Sequence, residues 1–97
     1  MNDINELSKE IAKWREKKGF KTNWKNMPEK LMLTVTELSE AMEAYRYNDK
    51  DNFNEEIADT FIRMLDICGS LGIDIENEIA KKMSANRNRP FLHGKIC

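Results

Sequence analysis

Apolar residues recur at helical spacing along nearly the whole chain, and no stretch shows the period-two alternation of a half-buried strand. Ile4, Leu7, Ile11 and Trp14 mark a first helix over about residues 3–18. Asp3 with Glu6 resembles a capping box at its start, and Gly19 offers a stop. "FKTNWKNM" is then a loop. Pro28 suits the first turn of a second helix that runs to about Tyr47. "NDKDN" is turn-rich, with Asn52 or Asn54 placed to cap a third helix that ends at Gly72. Asp74 can cap a fourth, which fades before Pro90 and leaves "PFLHGKIC" as a tail. Four helices joined by short turns predict an all-α fold, an antiparallel four-helix bundle or a close relative, in a single domain over residues 1–97.

On a wheel of about 100° per residue with Glu37 at zero, Leu31, Val35, Leu38, Met42 and Tyr45 form a stripe at about 80–160°. This is the expected core face of the second helix. Leu33, Ala41 and Ala44 interleave with Glu37 and Glu40, so those two glutamates do not lie on a plainly polar side. The third helix carries an apolar arc too wide for one exposed side, and Phe61 and Met64 within it are expected in the core.

Composition adds scale. A chain of 97 residues, 40% hydrophobic and 34% charged, can bury a modest core but hardly a deep pocket as well. That favours a homo-oligomer or a shallow site. The net charge of −1 is unevenly spread: +3 over residues 1–30, −9 over 31–78 and +5 over 79–97. An acidic centre between basic ends is not the dominant basic face of a nucleic-acid binder. It suits a ligand carrying both metal ions and phosphates, or a solvated mixed surface. No apolar run approaches the ~20 residues that span a bilayer, and the polar start lacks the apolar stretch of a signal peptide. Cys68 and Cys97 have no metal or redox spacing, so a reduced, cytoplasmic protein is expected.

The chemistry lies in two acidic pairs, Glu37 with Glu40 and Glu56 with Asp59, each one helical turn apart. Side chains at that spacing stand about 5–6 Å apart at Cβ. At an effective dielectric near 20 each pair repels by roughly 3 kcal/mol. Exposure, protonation or a bound cation relieves this, and only the cation gives the arrangement a use. Oxygen-only ligands select hard cations, Mg²⁺ or Mn²⁺. Helical di-iron sites pair their glutamates with histidines, whereas His93 is the only histidine here and lies in the tail.

The order Glu37-Leu-Ser-Glu40, fifteen residues, then Glu56-Ile-Ala-Asp59 resembles the E-x-x-E … E-x-x-D signature of MazG-like nucleoside triphosphate pyrophosphohydrolases, of the all-α NTP pyrophosphatase superfamily. "KMSANRNRPFLHGK" is similar to that family's C-terminal K-x-x-x-N-x-x-R element with its histidine-glycine-lysine tail, and "NMPEKLML" to its approach to the first acidic helix. The likeness spans roughly residues 14–95. It implies Mg²⁺-dependent hydrolysis of (deoxy)nucleoside triphosphates to monophosphate and pyrophosphate, a house-cleaning activity, in a dimer or dimer of dimers whose sites draw on more than one chain.

On this resemblance Glu37, Glu40, Glu56 and Asp59 hold the metal, with Glu40 as candidate general base, while Lys82, Asn86, Arg89 and Lys95 meet the phosphates. Arg63 either reaches a phosphate or pairs with Asp59 or Asp66. A base needs a flat apolar surface, for which Trp14, Trp24 and Tyr47 are candidates, although Trp14 also continues the core stripe of its helix. His93 receives no catalytic part. Thr36 precedes Glu37 where some family members carry a further glutamate, and the duplication of longer relatives is missing. Phosphoribosyl-ATP hydrolysis within the same superfamily and a non-enzymatic helical interaction module are the alternatives.

Overall fold

The computed structural model describes residues 3–90, which form four α-helices and, among the described residues, no strand. They are α1 (Ile4–Lys17), α2 (Met27–Arg46), α3 (Lys50–Leu71) and α4 (Ile75–Arg87). His93 and Lys95 lie outside the described residues.

Local chemistry sets the helix ends. Asp3 accepts a hydrogen bond from the Glu6 amide at 2.8 Å, and Asp74 accepts one from Asn77 at 3.1 Å. After α1, the Gly19 amide donates to the Glu16 carbonyl and the Phe20 amide to that of Arg15, with Gly19 at φ +95°. That pair of hydrogen bonds closes the helix and needs the left-handed backbone that glycine adopts freely. The same exit recurs after α2, where Asn48 takes φ +54° and the Asp49 amide returns to the Ala44 carbonyl. Because this exit is tight, the chain re-enters helix at Lys50. The cap of α3 is therefore Asp49, bonded to the Asn52 amide, and not Asn52 or Asn54 as the sequence suggested.

α3 is the central element, with α1 packed along one side and α2 along the other. The three-residue link between α2 and α3 makes them antiparallel neighbours. At the α1 crossing the backbones nearly touch: a Cβ on Gly69 would lie 2.2 Å from the Ser8 carbonyl oxygen. α4 meets α1 near its start, where Asn5 bonds both the Asp74 carboxylate and the Glu76 amide. No residue of α4 is buried. The radius of gyration is 15.9 Å, against about 12–13 Å for a compact globule of this length.

The face that α2 turns to α3 reverses the expected pattern. Met27, Lys30, Thr34, Glu37, Ala41 and Ala44 are buried. The stripe expected in the core points outward, from 49% exposed at Leu38 to 70% at Tyr45. Phe61 and Met64 are likewise about half exposed, as is Trp14. Small residues at Ala41 and Ala44 let α2 approach α3 closely, and that approach brings the polar band inward with them.

Candidate metal centre

The close seam between α2 and α3 carries the acidic pairs. Glu37 projects from α2, and Glu56 and Asp59 from α3. One carboxylate oxygen from each of the three lies within 4.8 Å of the others. Glu37 and Glu56 are only 9% exposed, and Asp59 opens to solvent. Glu40, one turn beyond Glu37, is exposed at the rim, against the Glu56 carboxyl.

Arg63 pairs with one of these carboxylates, its Nε donating to Glu37 Oε1 at 3.1 Å. Neither Asp59 nor Asp66 is its partner: Asp66 is engaged by Arg15 instead. Glu56 has no such relief. Its Oε2 is buried and has no hydrogen-bond partner. A proton shared with Glu40, burial, and the charges of Glu40, Glu37 and Asp59 push its pKa from 4.5 up to about 7.

A buried orphan oxygen is expensive, and one facing other carboxylates more so. The donor set suits a hard divalent cation: oxygen ligands about 2.0–2.6 Å from a common centre stand about 4–5 Å apart across it. The three oxygens, all within 4.8 Å of one another, fit inside that dimension. Glu37, Glu56 and Asp59 are therefore the residues that could hold a metal, with Glu40 free to reach it or an adjacent water.

The other candidates fall elsewhere. Lys82 and Asn86 stand exposed on α4, with Arg89 just past its end. α4 packs on α1, and α1 lies across α3 from α2, so one chain does not gather these groups around its own carboxylates. Trp24, in the loop before α2, is 79% exposed, and Tyr47, at the far end of α2, is comparably open. A groove of about 660 Å³ is lined in part by Lys9, Lys13, Lys21 and Phe20 and does not include the acidic cluster.

Two features escaped the sequence reading. Lys30 is buried on the inward face of α2, its Nζ 3.9 Å from the exposed Glu29. Asp66, 3% exposed, accepts hydrogen bonds from Arg15, Thr22 and Ser70. Ser70 follows Asp66 by one turn, but the bonds to Arg15 and Thr22 span 51 and 44 residues, and no local spacing announces them.

No family model, no curated protein and no solved structure matches this chain.

Proposed function

We propose that this protein is a divalent-metal-dependent hydrolase of (deoxy)nucleoside triphosphates, releasing nucleoside monophosphate and pyrophosphate in the manner of the MazG-like enzymes its motifs resemble. The observation that carries the reading is the buried Glu56 carboxylate, whose Oε2 has no hydrogen-bond partner and which stands within reach of the Glu37 and Asp59 carboxylates. A solvated acidic patch leaves its oxygens to water, whereas a buried oxygen among like charges calls for a proton or a cation, and the convergence of three carboxylates suits the cation.

Glu37, Glu56 and Asp59 hold Mg²⁺ or Mn²⁺ in this reading. The ion, when bound, neutralises triphosphate oxygens and lowers the pKa of an attacking water. Glu40, exposed at the rim, is placed to take that water's proton. Arg63 orients Glu37 through their ion pair and keeps cationic charge beside the site. Phosphoryl chemistry asks little more of the protein than position and neutralising charge.

The working form is a homo-oligomer. Leu31, Val35, Leu38, Met42 and Tyr45 follow each other at spacings of four, three, four and three, the seam pattern by which helices pair. All five are about half exposed or more in the single chain. Helical geometry puts Phe61 and Met64 of α3 on the same side of the helix layer. A second copy covering this face gives the small chain its missing core. It also offers a route for Lys82, Asn86, Arg89 and Lys95 of one copy to meet phosphates bound by another.

Pyrophosphate release from a panel of ribo- and deoxynucleoside triphosphates, with Mg²⁺ and with EDTA, tests the reading. Metal-dependent monophosphate and pyrophosphate, lost in Glu40→Ala and Glu56→Gln, is the expected result. Absence of release from every nucleotide, together with absence of Mg²⁺ binding by calorimetry, overturns it.

A further inference from the structure

The loop between α1 and α2 is braced far beyond what a surface connection needs. Thr22 Oγ1 donates to Asp66 Oδ2 at 2.6 Å, and Arg15 Nε donates to the same oxygen at 3.1 Å. Ser70 Oγ occupies the other oxygen, Oδ1. The ring of Phe20 lies 4.7 Å from the Arg15 guanidinium carbon, so the pair is covered from the loop side. Further along, Asn23 and Asn26 each accept the other's amide proton at 3.0 Å, and Asn26 Nδ2 donates to the Lys21 carbonyl at 2.7 Å. A nine-residue loop is thereby tied to α1, to α3 and to itself.

This bracing leaves the loop's largest apolar side chain outside. Trp24 is 79% exposed, more than any other large apolar residue described. Ordering a loop has an entropic cost, which burial of its apolar groups normally offsets. Here the offset comes from the buried Asp66 cluster, and the indole is left free. An uncovered aromatic face carried on a braced backbone suits a stacking ligand, since less backbone freedom is then lost on binding.

We propose that Asp66, acting through Thr22 and Arg15, is a positioning residue for Trp24, which the braced loop holds as a preformed stacking face for the nucleotide base. The base assignment rests on the nucleotide reading above; the positioning relation does not. The loop runs straight into α2, which carries Glu37 ten residues after its first residue, about 15 Å along the axis. That separation is of the order an extended nucleotide spans between its phosphates and its base. The rival aromatics lack this preparation. Trp14 is half buried on α1, and Tyr47 closes α2 in a three-residue turn rather than in a loop tied to both α1 and α3.

The test uses Thr22→Val, which keeps shape and loses the hydroxyl, Thr22→Ser, which keeps the hydroxyl, and Trp24→Ala, each checked for native helicity. In a Trp14→Phe background, used for spectroscopy only, Trp24 is the sole indole. There Thr22→Val should lower Trp24 emission anisotropy and increase its quenching by acrylamide, and Thr22→Ser should restore both. In kinetics without the Trp14 change, Trp24→Ala should raise KM roughly tenfold, the worth of one base–aromatic stack, with kcat little altered. Thr22→Val should raise KM several-fold, Thr22→Ser should match wild type, and Thr22→Val added to Trp24→Ala should do nothing more. Unchanged anisotropy, multiplying effects in the double variant, or a fall in kcat at constant KM overturns the positioning role. If no nucleotide is bound or hydrolysed but Thr22→Val still loosens Trp24, the base assignment fails with the nucleotide reading while the positioning relation stands.

Discussion

Asp66 and Glu56 lie ten residues apart on one helix, and both carboxylates are at least nine-tenths buried. Asp66 sits at the α1 side with a guanidinium and two hydroxyls donating to it. Glu56 sits at the α2 side with an oxygen that nothing satisfies and three acidic neighbours. The first arrangement is complete within the chain and needs nothing from outside. The second is complete only with a proton or a cation. Burial therefore does not mark a carboxylate that awaits a ligand; an unmet demand within burial does.

The same contrast runs through the two seams of α3. On the α1 side Gly69 meets the Ser8 backbone and the contact is tight. On the α2 side alanine, threonine and glutamate face inward, while Leu31, Val35, Leu38, Met42 and Tyr45 face out. One seam is built to hold the chain together, and the other to hold charge.

Substitutions can break this comparison, beginning with the largest effect. Glu56→Gln should lower metal-dependent pyrophosphate release by more than about a hundredfold, beyond the 10–100-fold usual for a partner that only supports a ligand. Steady-state kinetics checks it, and activity within threefold of wild type would remove Glu56 from the site. The same change should leave the metal-free fold no less stable, because it removes a repelled charge.

Asp66→Ala should do the reverse. It leaves Arg15, whose side chain is 12% exposed, without its partner, and should destabilise the fold by about 3 kcal/mol in urea titration. A loss below about 1 kcal/mol would place the strength of that seam elsewhere. Gly69→Ala forces a methyl into the Ser8 carbonyl and should cost about 1–3 kcal/mol by the same measurement.

The pH dependence of the metal-free protein gives the smallest effect. Glu56 titrates near pH 7 when folded and near 4.5 in its ordinary state, so the folded chain binds more protons between those values. The stability associated with its neutral form is full below about pH 4.5 and is lost as pH rises through about 7. Mg²⁺ should accordingly raise Tm more at pH 8 than at pH 6, and Glu56→Gln should flatten that difference. An equal Mg²⁺ shift at both pH values would show that the cation does not engage Glu56.

Much of the fold was legible in the residues. Asp3, Gly19, Gly72 and Asp74 mark helix ends by local hydrogen bonding that depends on a few neighbouring residues. The turn at Asn48 was legible, but its left-handed backbone was not, because asparagine enters that region only where the surrounding turn favours it. That shifted the cap of α3 from Asn52 or Asn54 to Asp49. The two acidic pairs were visible from their spacing, and their meeting followed from the antiparallel hairpin of α2 and α3.

The sequence by itself determined four helices, where most of them begin and end, and which carboxylates share a helix face, since each depends on contacts within a turn or two. Tertiary structure decided which face of α2 points inward. A hydrophobic wheel ranks faces by apolarity, but close approach of two helices favours small side chains, and Ala41 and Ala44 carried Glu37 in while Leu38 and Met42 went out. It also decided that Arg63 pairs with Glu37, that Asp66 is fully satisfied and that Glu56 is not. Those outcomes depend on which groups meet across 26, 44 or 51 residues of chain, a matter of packing that no local period records.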